Sequence, residues 1–226
     1  MKKSTMALFF SSALALSACG SDTTGINEES ENPANTGAEE QMTETIDSEE
    51  TEELAEEVAE DTGVVDEDVQ EDESMKVTNT YTDKELGITG EIGPMQYEIK
   101  AIQLKIIEPK DEATAELFEV AVGEEVHAFT IELAGENTSD EDMSFYLDQT
   151  VAITNTLEQL EPNMLLSGYI NGEYMGKVRH EGHNVYTLKD STVDELETIE
   201  LRILAPTDSE FNTMGEDASH TIEVNQ

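Results

Sequence analysis

Tyr97-Glu98-Ile99-Lys100-Ala101-Ile102-Gln103-Leu104-Lys105-Ile106 decides the fold. Tyr97, Ile99 and Ala101 alternate with Glu98 and Lys100, the period of a strand with one face in a core and one in water. The phase then slips by one residue, and Ile102, Leu104 and Ile106 carry the pattern on. Such a slip predicts a β-bulge, since without one the apolar set would turn to the opposite face.

The same period recurs on either side. Phe129, Ile131 and Leu133 alternate with Thr130 and Glu132. The polar run Glu136 to Asp142 reads as a connection. Met143, Phe145, Leu147, Val151 and Ile153 share one parity, with Ser144, Asp148, Thr150 and Thr154 on the other. The glycine-punctuated stretch from Tyr169 to Val178 predicts one or two short strands. A turn at Glu181-Gly182-His183-Asn184 leads into Val185 to Leu188. Ile199, Leu201 and Ile203 form another amphipathic strand, and Ile222 and Val224 a last one. Only Asp111 to Phe118 suggests a helical turn. About seven or eight short strands with turn signals between them predict a mainly β protein, an antiparallel β-sandwich.

Composition narrows the function. The chain has 226 residues, 53 of them acidic against 11 basic, for a formal charge of −42. No basic surface is available to follow a phosphate backbone, so nucleic acid is excluded as a partner. The single cysteine excludes an intrachain disulfide framework, a cysteine zinc site and an iron–sulfur cluster.

The charge is not evenly spread. Lys2 and Lys3 precede a short apolar stretch, Met6 to Leu16, too short to span a bilayer. Leu16-Ser17-Ala18-Cys19 follows and resembles a bacterial lipobox. The resemblance implies a signal peptide over 1–18, cleavage between Ala18 and Cys19, and a lipid on Cys19 that holds the protein to the membrane. Two acyl chains anchor stably where one is marginal. Residues 20–75 then carry 22 acidic side chains and neither Lys nor Arg nor any aromatic residue. Such a composition buries too little apolar surface to offset its ordering entropy, so 19–75 is expected to be a disordered acidic linker. The globular part is expected over 76–226, itself carrying 31 acidic and 9 basic side chains.

Within that part, Ile131 to Asp140, Phe145, Asn155, Gly176 to Val178, Val185 to Leu188 and Ile199 to Leu201 carry a second resemblance. Over about residues 97–204 they are similar to the immunoglobulin-like extracellular domains of Gram-positive lipoproteins, which share a fold with the mycobacterial secreted immunoprotective antigens. The resemblance implies an immunoglobulin-like sandwich and brings no catalytic residues. The cysteine pair and tryptophan of antibody domains are missing.

No catalytic motif, phosphate loop or dinucleotide fingerprint is present, and no cofactor is expected. His180-Glu181-Gly182-His183 reads as a polar turn, with a loose metal site as the alternative. Asp140-Glu141-Asp142 lacks the spacing of a calcium loop and reads as a solvated turn. Met143, Met164 and Met175 with His127 or His180 suggest a soft-metal site, but core packing explains Met143 more simply. Tyr146, Tyr169, Tyr174 and Tyr186 are the candidate binding surface, the alternative being that they cap the core. The first expectation is therefore a non-enzymatic, lipid-anchored binding or structural module on the extracellular face of the cell membrane, meeting an envelope protein or cell-wall ligand. The second is an envelope metal-handling protein or enzyme with its site near His180 and His183.

The acidity also makes a thermodynamic expectation. Like charges repel most when screening is weakest, with a Debye length of about 30 Å at 0.01 M salt and about 3 Å at 1 M. Stability should therefore rise with sodium chloride, and replacing exposed carboxylates by amides should flatten the slope. Equal slopes in thermal melts of the two proteins would show that the acidity does not act through self-repulsion.

Overall fold

The computed structural model describes residues 63–66 and 68–226. The expected signal peptide over 1–18, the expected cleavage point between Ala18 and Cys19 and most of the expected acidic linker lie outside the described residues.

The opening decapeptide lies within the longest strand, β4 (Met95–Pro109). One edge of β4 pairs along its length with β5 (Val126–Asn137). Its other edge is shared by β2 (Met75–Asp83) and β3 (Ile88–Ile92), which take successive halves of it. β1 (Val69–Glu71) pairs with β2, and β10 (Arg179–Thr187) with β5, all antiparallel. The expected bulge is present: the β4–β5 register shifts between Ile99 and Ala101. With Lys100 as the extra residue, Tyr97 and Ile99 before it and Ile102 and Leu104 after it join the same core.

The second sheet runs β13 (Ala218–Glu223), β11 (Thr198–Ile203), β7 (Val151–Thr154), β8 (Gln159–Leu160). A small third sheet has β6 (Met143–Ser144) between β12 (Thr207–Asp208) and β9 (Glu173–Tyr174). The order β4-β5-β10 in the first sheet and β13-β11-β7-β8 in the second gives two antiparallel sheets that share one core. Leu104, Phe129, Ile131 and Leu133 from the first sheet and Ile199, Leu201, Ile203 and Ile222 from the second form one buried cluster. Phe129 and Tyr186 stack within it, ring centroids 4.8 Å apart.

The outer face of the first sheet is covered too. Met75, Val77, Ile107, Val126, Ala128 and Val185 pack there with Phe118 and Leu166 in a second buried cluster. Phe118 caps the one α-helix among the described residues, α1 (Glu112–Leu117), whose N-cap Asp111 accepts a hydrogen bond from the Thr114 amide at 2.7 Å. The loop before β9 closes the β10 edge, where the Asn163 amide donates to the Val185 carbonyl and the Val185 amide to Ser167 Oγ.

Three expectations are corrected. Glu181 to Asn184 is not a turn but the middle of β10, in unbroken register with β5. Gly182 is there because a Cβ would lie 2.7 Å from Ile170 Cγ1 and 3.0 Å from the Tyr169 carbonyl oxygen, so the glycine marks a close approach. Met143 to Ile153 is not one strand, since a 3-10 turn at Leu147–Gln149 separates β6 from β7. Nor does the ordered chain begin at 76. The Gln103 side chain donates to the Val65 carbonyl at 3.0 Å and accepts from the Val65 amide at 3.1 Å. Lys105 Nζ donates to the Gly63 carbonyl, Lys84 pairs with Asp66 at 2.6 Å and Lys110 with Glu71 at 3.0 Å. Backbone ladders and the sandwich's own lysines hold this segment, which is why apolar patterning did not reveal it.

A chain starting at Gly63 should be more stable than one starting at Lys76 by about 2 kcal/mol or more in urea melts, from lost hydrogen bonds alone. The neighbouring lysines also hold the Asp66 and Glu71 carboxyls below their ordinary values of 3.8 and 4.5, first through the hydrogen bond and then through charge. A depressed folded value stabilises above the unfolded one and is lost as pH falls through it, so the difference should narrow in acid. Equal melts at neutral pH would contradict this.

Candidate functional site

The four tyrosines do not form one face. Tyr186 has no exposed surface: its hydroxyl donates to the Thr150 carbonyl at 2.7 Å and accepts from Asn184 Nδ2 at 3.3 Å. Burial holds that hydroxyl well above its ordinary titration range. Tyr174 is 1% exposed and packs beside Phe145 and His180. Its hydroxyl, without a hydrogen-bond partner, is pushed up to about 12, chiefly by burial and then by the charge of Asp148. Both belong to the core, and the binding-surface assignment is corrected for them. Tyr146 is 42% exposed and its hydroxyl donates to Glu173 Oε1, while Ser144 Oγ donates to Glu173 Oε2 at 3.1 Å. Tyr169, on the loop before β9, is the most exposed of the four.

The two histidines are separated as well. Three residues apart in a regular strand, they project to opposite faces of β10. His180 faces inward, its Nδ1 2.7 Å from the Asn171 carbonyl oxygen and its ring against Tyr174. His183 faces outward beside its cross-strand neighbour Glu132, its ring filling the space above Gly168. A common site for the pair is therefore ruled out by the strand. Among the described residues no group of three or more His, Cys, Asp or Glu side chains is arranged to hold a metal.

Asp140 to Asp142 is a turn ordered from beneath by buried Asn137, whose Nδ2 donates to the Glu141 carbonyl at 2.7 Å, and Asp140 pairs with Lys177. Met143 is in the core, whereas Met164 and Met175 are exposed. His127 Nδ1 accepts from the Val193 amide at 3.4 Å.

Two surface features escaped the sequence because each is assembled from distant strands. One is the charged end of the first sheet's outer face. There Arg179 lies 3.3 Å from Glu98 and 3.9 Å from both Glu136 and Glu181, beside a cavity of about 490 Å³. The other lies over the second sheet, where cavities of about 380 and 500 Å³ share Val151 and Leu204 as walls. Together they form a groove with Val151, Ile153, Pro162, Met164 and Leu204 along it and Asp148, Glu161, Glu200 and Asp217 around it. Val151 and Ile153 face outward because Ala152 and Thr154, on the other parity of β7, are buried. Asp148 stands at the groove wall with one buried carboxylate oxygen unpartnered, and burial raises its titration point.

No family model matches the chain. It is similar to an uncharacterized lipoprotein, YonS, derived from the SPbeta prophage of Bacillus subtilis. The two are 26% identical over 154 residues, 62% of this chain and 75% of the relative. In fold it resembles a protein of unknown function from Listeria monocytogenes, with a TM-score of 0.51 and 13% identity over 74% of this chain and 93% of that one.

The two buried tyrosines give opposite expectations. Tyr186→Phe removes a hydroxyl with two partners and should cost about 1 kcal/mol or more. Tyr174→Phe removes an unpartnered one and should leave stability unchanged or raise it. Denaturant melts check both, and a larger loss at Tyr174 would contradict this reading of its surroundings.

Proposed function

We propose that the protein is a lipid-anchored envelope protein whose sandwich is a non-catalytic binding module, displayed on the outer side of the cell membrane. The observation that carries this reading is the ordered run of Lys2-Lys3, the apolar stretch Met6 to Leu16, and Leu16-Ser17-Ala18-Cys19. Its similarity to a lipoprotein supports the same reading. A thioether-linked diacylglycerol on Cys19 carries two acyl chains, the attachment that holds stably. The acid-rich stretch after it is the spacer, its like charges pushing one another apart. The sandwich presents a groove with apolar walls and carboxylates around it, which suits recognition.

Metabolic labelling with a fatty acid tests the anchor. The wild-type protein should incorporate label and sediment with membranes, and Cys19→Ala should take up none. Label retained in Cys19→Ala, or absent from the wild type, would overturn the assignment.

A further inference from the structure

We propose that the groove over the second sheet docks an extended, basic protein segment that carries apolar side chains. This rests on reading the sandwich as a binding module and names what the module binds.

The apolar half of the argument is geometric. Val151 and Ile153 line the groove from β7, Pro162 and Met164 from the connection after β8, and Leu204 from the chain after β11. Met164 is 67% and Leu204 58% exposed, so two large apolar side chains stand in water on the same groove. Singly exposed apolar residues are ordinary, but a cluster along a concavity marks a contact surface. The first sheet differs: Phe118 and Leu166 already cover the corresponding apolar positions on its outer face.

The charged half selects the occupant. Four carboxylates, Asp148, Glu161, Glu200 and Asp217, surround the groove, and Arg202 is its one cation. Arg202 Nε already donates to Glu200 Oε1 at 3.0 Å. Glu200 also accepts from Ser219 Oγ, and Asp217 accepts from the Ala205 amide, which fixes both carboxylates in place. At the other end Asp148 and Glu161 stand together at the groove wall. An acidic or neutral apolar segment would bring apolar surface but leave this ring of carboxylates unneutralised. The two cavities lie end to end through Val151 and Leu204, a shape that suits successive side chains of an extended chain.

The test uses the mature chain, Cys19 to Gln226, made without lipid, and two fluorescent decapeptides of equal charge. One alternates Lys with Leu, the other Lys with Ser. By fluorescence anisotropy at about 0.15 M salt, the Leu probe should bind about tenfold more tightly or better. Combined Met164→Ser and Leu204→Ser should abolish that preference, while Val122→Ser, exposed in the turn after α1 and not in the groove lining, should not. Asp148→Asn with Glu161→Gln should weaken both probes and keep the preference. Equal binding of the two probes overturns the proposal, because the protein would then act only as a polyanion. So does a preference that survives in the Met164/Leu204 variant, which would place the apolar contact elsewhere. Either failure leaves the acylation of Cys19 unaffected, so it is distinguishable from failure of the anchor.

Discussion

Lys105 sits in the middle of β4 with none of its surface exposed, on a strand covered on both faces. An ammonium taken out of water is costly unless it is met by acceptors. Here the chain from before the first strand returns to meet it, with the Gly63 carbonyl accepting from Nζ and Val65 bound on both its polar groups by Gln103. That one requirement makes the end of the acidic stretch part of the sandwich. The β1–β2 ladder and the lysine pairs of Asp66 and Glu71 hold the same segment.

The other cations are used in a related way. Lys84 and Lys110 hold Asp66 and Glu71, Lys177 holds Asp140, and Arg202 holds Glu200. Lys100 and Arg179 lie among Glu132, Glu98, Glu136 and Glu181 on the first sheet. With so few basic residues and most of them engaged internally, the remaining surface is strongly anionic. The groove over the second sheet is where that charge meets exposed apolar side chains. Surface charge of one sign raises the encounter rate with a cationic partner, while the apolar residues set how long it stays.

Much of the sandwich was legible because most of its strands alternate apolar with polar residues. The alternation around Phe129 to Leu133 and Ile199 to Ile203, and the slip near Ala101, translate directly into strands and a bulge. Legibility failed where the usual signals had other causes. Gly182 is a packing glycine rather than a turn glycine. Tyr174 and Tyr186 look like surface tyrosines by type, but Tyr186 has its hydroxyl satisfied inside the core and Tyr174 is held there by its ring contacts. Residues 63–66 and 68–75 carry a linker's composition but are held by hydrogen bonds and lysines. The groove was out of reach, since Val151, Met164, Leu204 and Asp217 are brought together only by the topology.

Amide hydrogen exchange on the full chain tests the docking of 63–75 most directly, because it needs no substitution or truncation. The Val65 amide donates to Gln103, and the Asp72 amide to the Met75 carbonyl. Both should exchange far more slowly than an unfolded peptide, within reach of the β2 amides that share the sheet. Exchange of Val65 and Asp72 at the unfolded rate, with β4 and β5 still protected, would contradict the account and return the segment to the linker.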